Sequence, residues 1–544
     1  MEKPMSADFG SFGGRTAEIA HRLVRCASVT GTDGEAGFAC ILAGMLREHH
    51  YFAANPENLR LIGSHGSPQA SSVVALVRGA GTRCLVLAGH YDVVSIANFG
   101  GLANLAFDPE PLTKALIEEL AKGQQGPAQR RALADLQSRS FVPGRGMLDM
   151  KSGLAAGISV LERFADIPER EGNLLFVATP DEENRSRGMR SLRDVLPQLA
   201  KEWGLELAGG INLDATDDYG DGTKGRSMYF GSVGKYSPFA YVVGQGTHAG
   251  YPFEGVSTHL IGAEILKAVE INSELVDEAH GEIAPPPVCL EARDFRESYD
   301  VTTPDRSWIS FNWLSHRRKP DELLGEFRAL VSDALERALA HRQAQAIRYL
   351  GEAPEDRPGR VFTVAELKAK VLDGNPAAAG RFDQLAADLL TEENPLVVSR
   401  RLVALLVDEA GLEGPFVVIG FASLFYPHVH ADAPVFRETV RMAAGRAAAR
   451  NQTSIAIREF FPGISDMSFF GHQPDGAELA VVHANTPSAD LCDAPPPDAR
   501  SFPVVNIGPW GRDCHQKLER VHASYAFDVL PDIVFEVTQA VLQG

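Results

Sequence analysis

The chain has 544 residues, 44% of them hydrophobic, 23% charged and 8% aromatic, which argues against a disordered, fibrous or disulfide-scaffold protein and gives length for more than one domain. Lys and Arg number 52 against 71 Asp and Glu, a formal charge of −19, so polyanions such as nucleic acid and acidic lipid are poor partners. Residues Met1 to Arg15 lack the apolar run of an export signal, and no segment approaches the roughly 20 apolar residues that cross a bilayer. Six scattered cysteines without a CxxC pair fit reduced thiols. The expectation is a cytoplasmic protein with no membrane partner.

Helical periodicity runs over Thr16 to Arg25 and Gly37 to His49, followed by strand text at Ser72 to Val77 and Cys84 to Ala88. Residues 98–140 change to charged helical text, including Leu112 to Lys122 and Ala128 to Ser138, and read as an insertion. Gly153 to Phe164 predicts a helix, Asn173 to Thr179 a buried strand, Ser191 to Trp203 a helix and Gly209 to Leu213 a strand. This alternation predicts an α/β layer structure. From residue 229 the order becomes strand (Tyr236 to Val243), helix (Thr258 to Val269), strand (Ser307 to Leu314) and helix (Pro320 to His341), which suits an inserted α+β lid. The acidic, Pro-rich stretch Glu352 to Gly359 is expected to close it. The strand Phe416 to Phe421, the helix Val435 to Arg450, the strand Ser454 to Phe460 and Pro503 to Ile507 then return to α/β text. The expected division is a catalytic domain over 1–228 and 361–544, interrupted by a lid over 229–360.

Carboxylates and imidazoles recur at strand ends. His90 and Asp92 follow one strand, two apart and so on one side of extended backbone. Asp181-Glu182-Glu183 follows another, where three adjacent carboxylates are costly unless cations or protons neutralise them. Asp214 ends a third, where open α/β sheets place ligands. Asp149 lies in Gly144-Arg145-Gly146-Met147-Leu148-Asp149 before a helix, and His515 follows the Gly508-Pro509 turn with Glu519 four residues on. Singly, these read as a polar strand end, a solvated loop, an N-cap and a loop histidine. Together, His90, Asp149, Glu183, Asp214 and His515 supply two imidazoles and three carboxylates, a donor set for two divalent cations. Nitrogen and oxygen donors without thiolate suit zinc, with cobalt or manganese as substitutes.

In this order, the set resembles the dinuclear zinc aminoacylase and carboxypeptidase family that includes succinyl-diaminopimelate desuccinylase. Gly246-Thr247-His248-Ala249-Gly250-Tyr251-Pro252 is similar to its lid signature. The wording Asp181-Glu182-Glu183-Asn184-Arg185-Ser186-Arg187-Gly188 and the length look most like the RocB branch, named for arginine utilisation. The resemblance implies a mixed-sheet α/β/α zinc-peptidase domain with a dimerisation-type lid. It implies that Asp149 bridges two metals, that His90 and Asp214 bind one, and that Glu183 and His515 bind the other. Asp92 would orient His90, Glu182 would be the general base, and His248 would face the oxyanion, in dimeric relatives across the subunit boundary. Asn312 and Arg317 on the lid and Gly463 and Ser465 in Gly463-Ile464-Ser465-Asp466 would hold substrate groups. The expected activity is metal-dependent hydrolysis of a small N-acyl amino acid, dipeptide or arginine-related amide. The alternative is a noncatalytic or regulatory metal-binding protein that keeps the fold. One departure from the family is the long interval between Asp92 and Asp149, filled by 98–140.

Overall fold

A computed structural model describes residues 12–123, 126–355, 357–392 and 394–544; for 67–69 it describes the backbone. The stretch read as lacking an export signal lies outside the described residues up to position 11. The rest falls into two compact units. One comprises the described residues up to Ser232 with Val429–Gln473 and Pro495–Gly544; the other comprises Val233–His428 and Pro474–Ala494.

The first unit is built on β1 (Leu59–Ser64), β2 (Ser67–Val77), β3 (Ala80–His90), β4 (Glu171–Thr179), β5 (Glu206–Asn212), β6 (Ser227–Tyr229), β7 (Ala456–Arg458) and β8 (Val504–Ile507). Their order in the sheet is β1-β2-β4-β3-β5-β8-β6-β7. The sheet is mixed: β4, β3, β5 and β8 run parallel, whereas β2 is antiparallel to β4 and β6 to β8. In β3 every residue from Cys84 to His90 is buried, as a central parallel strand covered on both faces requires. Helices Gly13–Val24, Ser152–Ala165 and Leu530–Gln543 supply Leu23, Leu161 and Val534 to the core that holds Leu85, Leu87 and Phe176.

Two glycines permit the close approaches that form the site. A Cβ on Gly89 would stand 2.2 Å from Met150 Cε, and one on Gly153 would stand 2.2 Å from the Leu213 carbonyl oxygen. Without side chains there, the segment carrying Asp149 settles against the ends of β3 and β5.

The second unit has its own six-stranded sheet. Gly234–Tyr236, Arg306–Ser315, Pro238–Val243, Phe416–Phe421 and Arg360–Thr363 are neighbours in that order, and Val288–Asp294 pairs with Arg306–Ser315. Its strands bury side chains alternately on two faces. Val417, Ile419 and Phe421 join one core with Phe327 and Leu335 of the helix Pro320–Leu350. Phe416 and Val418 join another with Leu402 and Leu406 of the helix Pro395–Ala410. The sequence places the end of this unit near 360, but the chain stays in it to His428. The reason is the second apolar face: Arg360–Thr363 pairs parallel with Phe416–Phe421, and the helices between them cover that face.

Candidate active site

Parallel strands bring their carboxyl ends to one edge of a sheet, and register fixes which residues meet there. His90 lies opposite Thr179, and Ala88 opposite Asn212. The strand extensions therefore bring His90, Asp181-Glu182-Glu183 and Asp214 to one level. Asp149 comes from the turn before the helix Ser152–Ala165 and does not cap it; its φ of −113° and ψ of 102° are extended rather than helical. The Asp149–Met150 peptide is cis.

Asp149 is the centre of the cluster. One carboxylate oxygen lies 3.1 Å from His90 Nε2 and the other 3.1 Å from His515 Nε2. His515 Nε2 is also 3.1 Å from Glu183 Oε1, while His90 Nε2 stands 3.9 Å from Glu182 Oε2 and 4.0 Å from Asp214 Oδ1. Asp92 sits behind this layer, fully buried. Its carboxylate accepts hydrogen bonds from the Glu182 and Glu183 amides at 3.1 and 3.2 Å and from the Thr30 hydroxyl at 3.0 Å. The imidazole of His90 meets the Asp92 backbone carbonyl at 3.1 Å, with the Asp92 carboxylate 3.6 Å away. Glu519 anchors the Asp149 turn from below: its carboxylate pairs with buried Arg145 and accepts the Gly146 and Leu148 amides at 2.8 and 3.3 Å.

The electrostatics follow from crowding acids in a dry place. Burial, with the neighbouring carboxylates Glu183, Asp214 and Asp466, holds the Glu182 carboxyl well above its ordinary range against the opposing pull of His90. Burial and Asp149 push Asp214 up to about 7, and burial raises Glu183 although His515 opposes it. Asp149 goes the other way: burial would raise it, but His515 and His90 hold it well below the carboxylate range. The imidazoles answer in kind. The Asp149 and Glu183 carboxylates beside it push His515 up to about 11, and Asp149 and Asp92 raise His90 well above its usual value despite burial.

This arrangement fits divalent cations. Glu183 Oε1 is buried and has no well-directed hydrogen bond, although an imidazole nitrogen stands 3.1 Å away. An acceptor oxygen and a ring nitrogen facing each other in this way share a third partner naturally, and nitrogen and oxygen donors suit zinc and its first-row neighbours.

Cys514, Asp466 and Lys151, to which the sequence reading assigns no role, also lie near the cluster. Cys514 Sγ lies 3.1 Å from an Asp149 oxygen, a contact no motif around this thiol signals. Asp466 is buried, accepts the Thr179 hydroxyl at 3.0 Å, leaves its other oxygen unpaired and is pushed by burial up to about 6. Its neighbour Ser465 accepts the Asn212 amide at 3.0 Å, and the Gly463 carbonyl lies 3.4 Å from the Ser232 hydroxyl. Lys151, also fully buried, donates to the Cys26 carbonyl at 2.7 Å and sits 4.9 Å over the Phe38 ring. The signal that marks Asp466 and Lys151 is a charged residue inside apolar text; distance in sequence hides the partners.

His248, Asn312 and Arg317 belong to the second unit. His248 is exposed, its Nδ1 accepting the Gly250 amide at 3.0 Å. Asn312 lies opposite Val288 in the strand pair, and the Arg317 amide donates to Asp277 at 3.0 Å beyond the strand end.

An α/β unit with two imidazoles and a group of buried carboxylates at the carboxyl edge of its parallel strands defines a hydrolase of the metallopeptidase class. The profile of peptidase family M20/M25/M40 matches residues 135–495, and the chain belongs to that family, in agreement with the resemblance read from its motifs. It is 30% identical over 532 residues to the uncharacterized protein YqjN of Bacillus subtilis (strain 168), covering 96% of this chain and 95% of that one. It is 27% identical to protein RocB of the same organism, covering 97% and 95%. The structure is similar to the M20 family metallo-carboxypeptidase Sso-CP2 from Sulfolobus solfataricus, with a TM-score of 0.52, 12% identity and coverage of 97% and 99%.

Proposed function

We propose that this protein hydrolyses an amide or peptide bond in a small N-acyl amino acid, dipeptide or arginine-related amide, using two divalent metal ions and Glu182 as general base. The observation that carries the reading is the Asp149 carboxylate, whose two oxygens each face one imidazole at 3.1 Å, as a carboxylate shared between two cations does. His90, Asp214 and Asp149 would hold one ion; Glu183, His515 and Asp149 would hold the other. Zinc is the metal proposed, with cobalt or manganese as substitutes. When bound, the ions supply Lewis acidity toward the scissile carbonyl and make water more acidic.

The chain's own groups do the rest. Glu182 is buried beside other carboxylates that raise its proton affinity, which suits a group that takes a proton from water and returns it to the leaving nitrogen. Asp92 fixes the Glu182 and Glu183 backbone through its two oxygens, and its carbonyl orients His90. His248 is assigned to the developing oxyanion, where a positioned donor acts mainly in the transition state. Asn312, Arg317, Gly463 and Ser465 are assigned to substrate groups, and the lid to homodimer formation. The arginine-related end of the substrate range is supported by similarity to RocB over nearly the whole chain. No helix among the described residues is long and apolar enough to cross a membrane, and all six cysteines are free; a cytoplasmic location is part of the proposal.

The test is a screen of zinc- and cobalt-reconstituted protein against N-acyl amino acids, dipeptides and arginine-derived amides, with metal content measured on the same sample. Hydrolysis of one class by protein holding close to two ions per chain is expected. Protein that binds no metal overturns the reading.

A further inference from the structure

We infer that the inserted segment 98–140 is a clamp for the loop that carries His515, with Asp135 and Asn98 as positioning residues for that metal ligand; this rests on the reading of His515 as a ligand. The loop 513–519 connects two short antiparallel strands, Trp510–Arg512 and Arg520–His522. Two of its non-glycine residues, Asp513 and His515, have φ values of 57° and 61°. Backbone in the left-handed region persists only where surrounding structure holds it.

Arg145 and Asp217 hold the loop from the rest of the unit, Arg145 donating to the His515 carbonyl at 3.1 Å and Asp217 accepting the Cys514 amide at 3.2 Å; the remaining holding groups come from the insertion. Asp135, on the helix Pro127–Gln137, accepts from Arg512 Nη1 at 2.6 and 2.7 Å and from Arg520 Nε and Nη2 at 2.9 and 2.7 Å. Arg520 in turn donates to Asp513 Oδ2 at 2.5 Å and to the Leu518 carbonyl at 2.8 Å. Both guanidiniums are buried, and each flanks one end of the loop. Asp135 is the carboxylate shared by both buried cations, and removing it leaves Arg520 with Asp513 and Arg512 with only the Asp218 and Gly220 carbonyls. At the middle of the loop, Asn98 Nδ2 donates to the His515 carbonyl at 2.8 Å. Leu518 packs against the insertion's own core of Phe99, Leu112, Leu116 and Leu136. The insertion therefore grips the loop by charge at both ends, by a hydrogen bond at His515 and by an apolar contact between them. A segment that merely covered the first unit would not need to converge on the carbonyl of the ligand itself.

The experiment titrates zinc against a competing chelator in the full chain and in the variants Asp135→Asn, Asn98→Ala and Glu118→Gln, with a thermal melt of each. Glu118 pairs with Lys122 on the exposed side of the insertion, and its variant controls for altered insertion charge. Groups that orient metal ligands cost about 10–100-fold in metal affinity when removed. One zinc equivalent is expected to weaken by about 10–100-fold in Asp135→Asn and Asn98→Ala, with the other equivalent and the Glu118→Gln protein unchanged. Both equivalents held as tightly as in the parent, or both weakened equally, overturns the clamp. Should Asp135→Asn not fold, Asn98→Ala decides, because that side chain is exposed. A parent chain that binds no zinc overturns the ligand reading first; two tight equivalents in the parent with no change in the variants overturns the clamp alone.

Discussion

The two banks of the candidate site are built by different means. On one bank, His90, Glu182, Glu183 and Asp214 sit where β3, β4 and β5 end, and strand register sets their level. On the other, His515 projects from a loop with left-handed backbone at two non-glycine residues and keeps 47% of its side-chain surface exposed, against 2% for His90. The sheet bank takes its precision from hydrogen bonds that exist for folding anyway; the loop bank is flanked by ion pairs to Asp135, 377 and 385 positions away in the chain. Asp149 belongs to both, and Glu519 ties them together by gripping the Asp149 turn from the far end of the His515 loop.

This difference can be broken at the point where the banks meet. Asp149→Ala is expected to release both metal ions and abolish hydrolysis, whereas His515→Ala should release only one. Metal analysis after gel filtration distinguishes them, and retention of both ions without Asp149 would contradict its shared position. A smaller effect is expected from Glu519→Ala, which leaves buried Arg145 without its carboxylate. Breaking a buried pair from one side costs about 3–5 kcal/mol, so urea denaturation should show a loss of that order, together with weaker metal binding.

A third prediction concerns the sheet bank alone. Glu35 lies buried behind Asp92, and burial, then the Asp92 charge, pushes it up to about 8. Between the ordinary value of 4.5 and about 8 the folded chain holds a proton that the unfolded chain has released. Stability should therefore fall as pH rises through that window, with a slope of at most about 1.4 kcal/mol per pH unit. Glu35→Gln, which keeps an acceptor for the Gly31 amide, should flatten this slope in urea titrations from pH 5 to pH 8. An unchanged slope would place the charge cost elsewhere.

The same contrast explains what the sequence revealed. Buried parallel strands are continuous apolar runs, so His90, Asp181-Glu182-Glu183 and Asp214 stand out as the titratable residues at their carboxyl ends. Asp149 is legible only through its place in an ordered set of motifs, because its local text reads as a helix cap and the helix begins three residues later, at Ser152. The boundary expected near 360 differs from the end of the second unit for a physical reason: strands and helices beyond 360 have the same periodicities in either unit, and the pairing of Arg360–Thr363 with Phe416–Phe421 assigns them. Asp135 was invisible. It lies on a helix whose charged text reads as a solvated face, and its arginine partners are 377 and 385 positions away.

On the proposed reading, a metal-holding layer and a separate proton-carrying carboxylate, Glu182, lie side by side at the sheet edge. Glu182→Gln tests it most directly, with zinc content and single-substrate hydrolysis measured on one preparation. Metal content equal to the parent and a rate lower by about 10²–10⁴-fold, the range for removal of a general base, are expected. Full activity in that variant, or loss of metal along with activity, would contradict it.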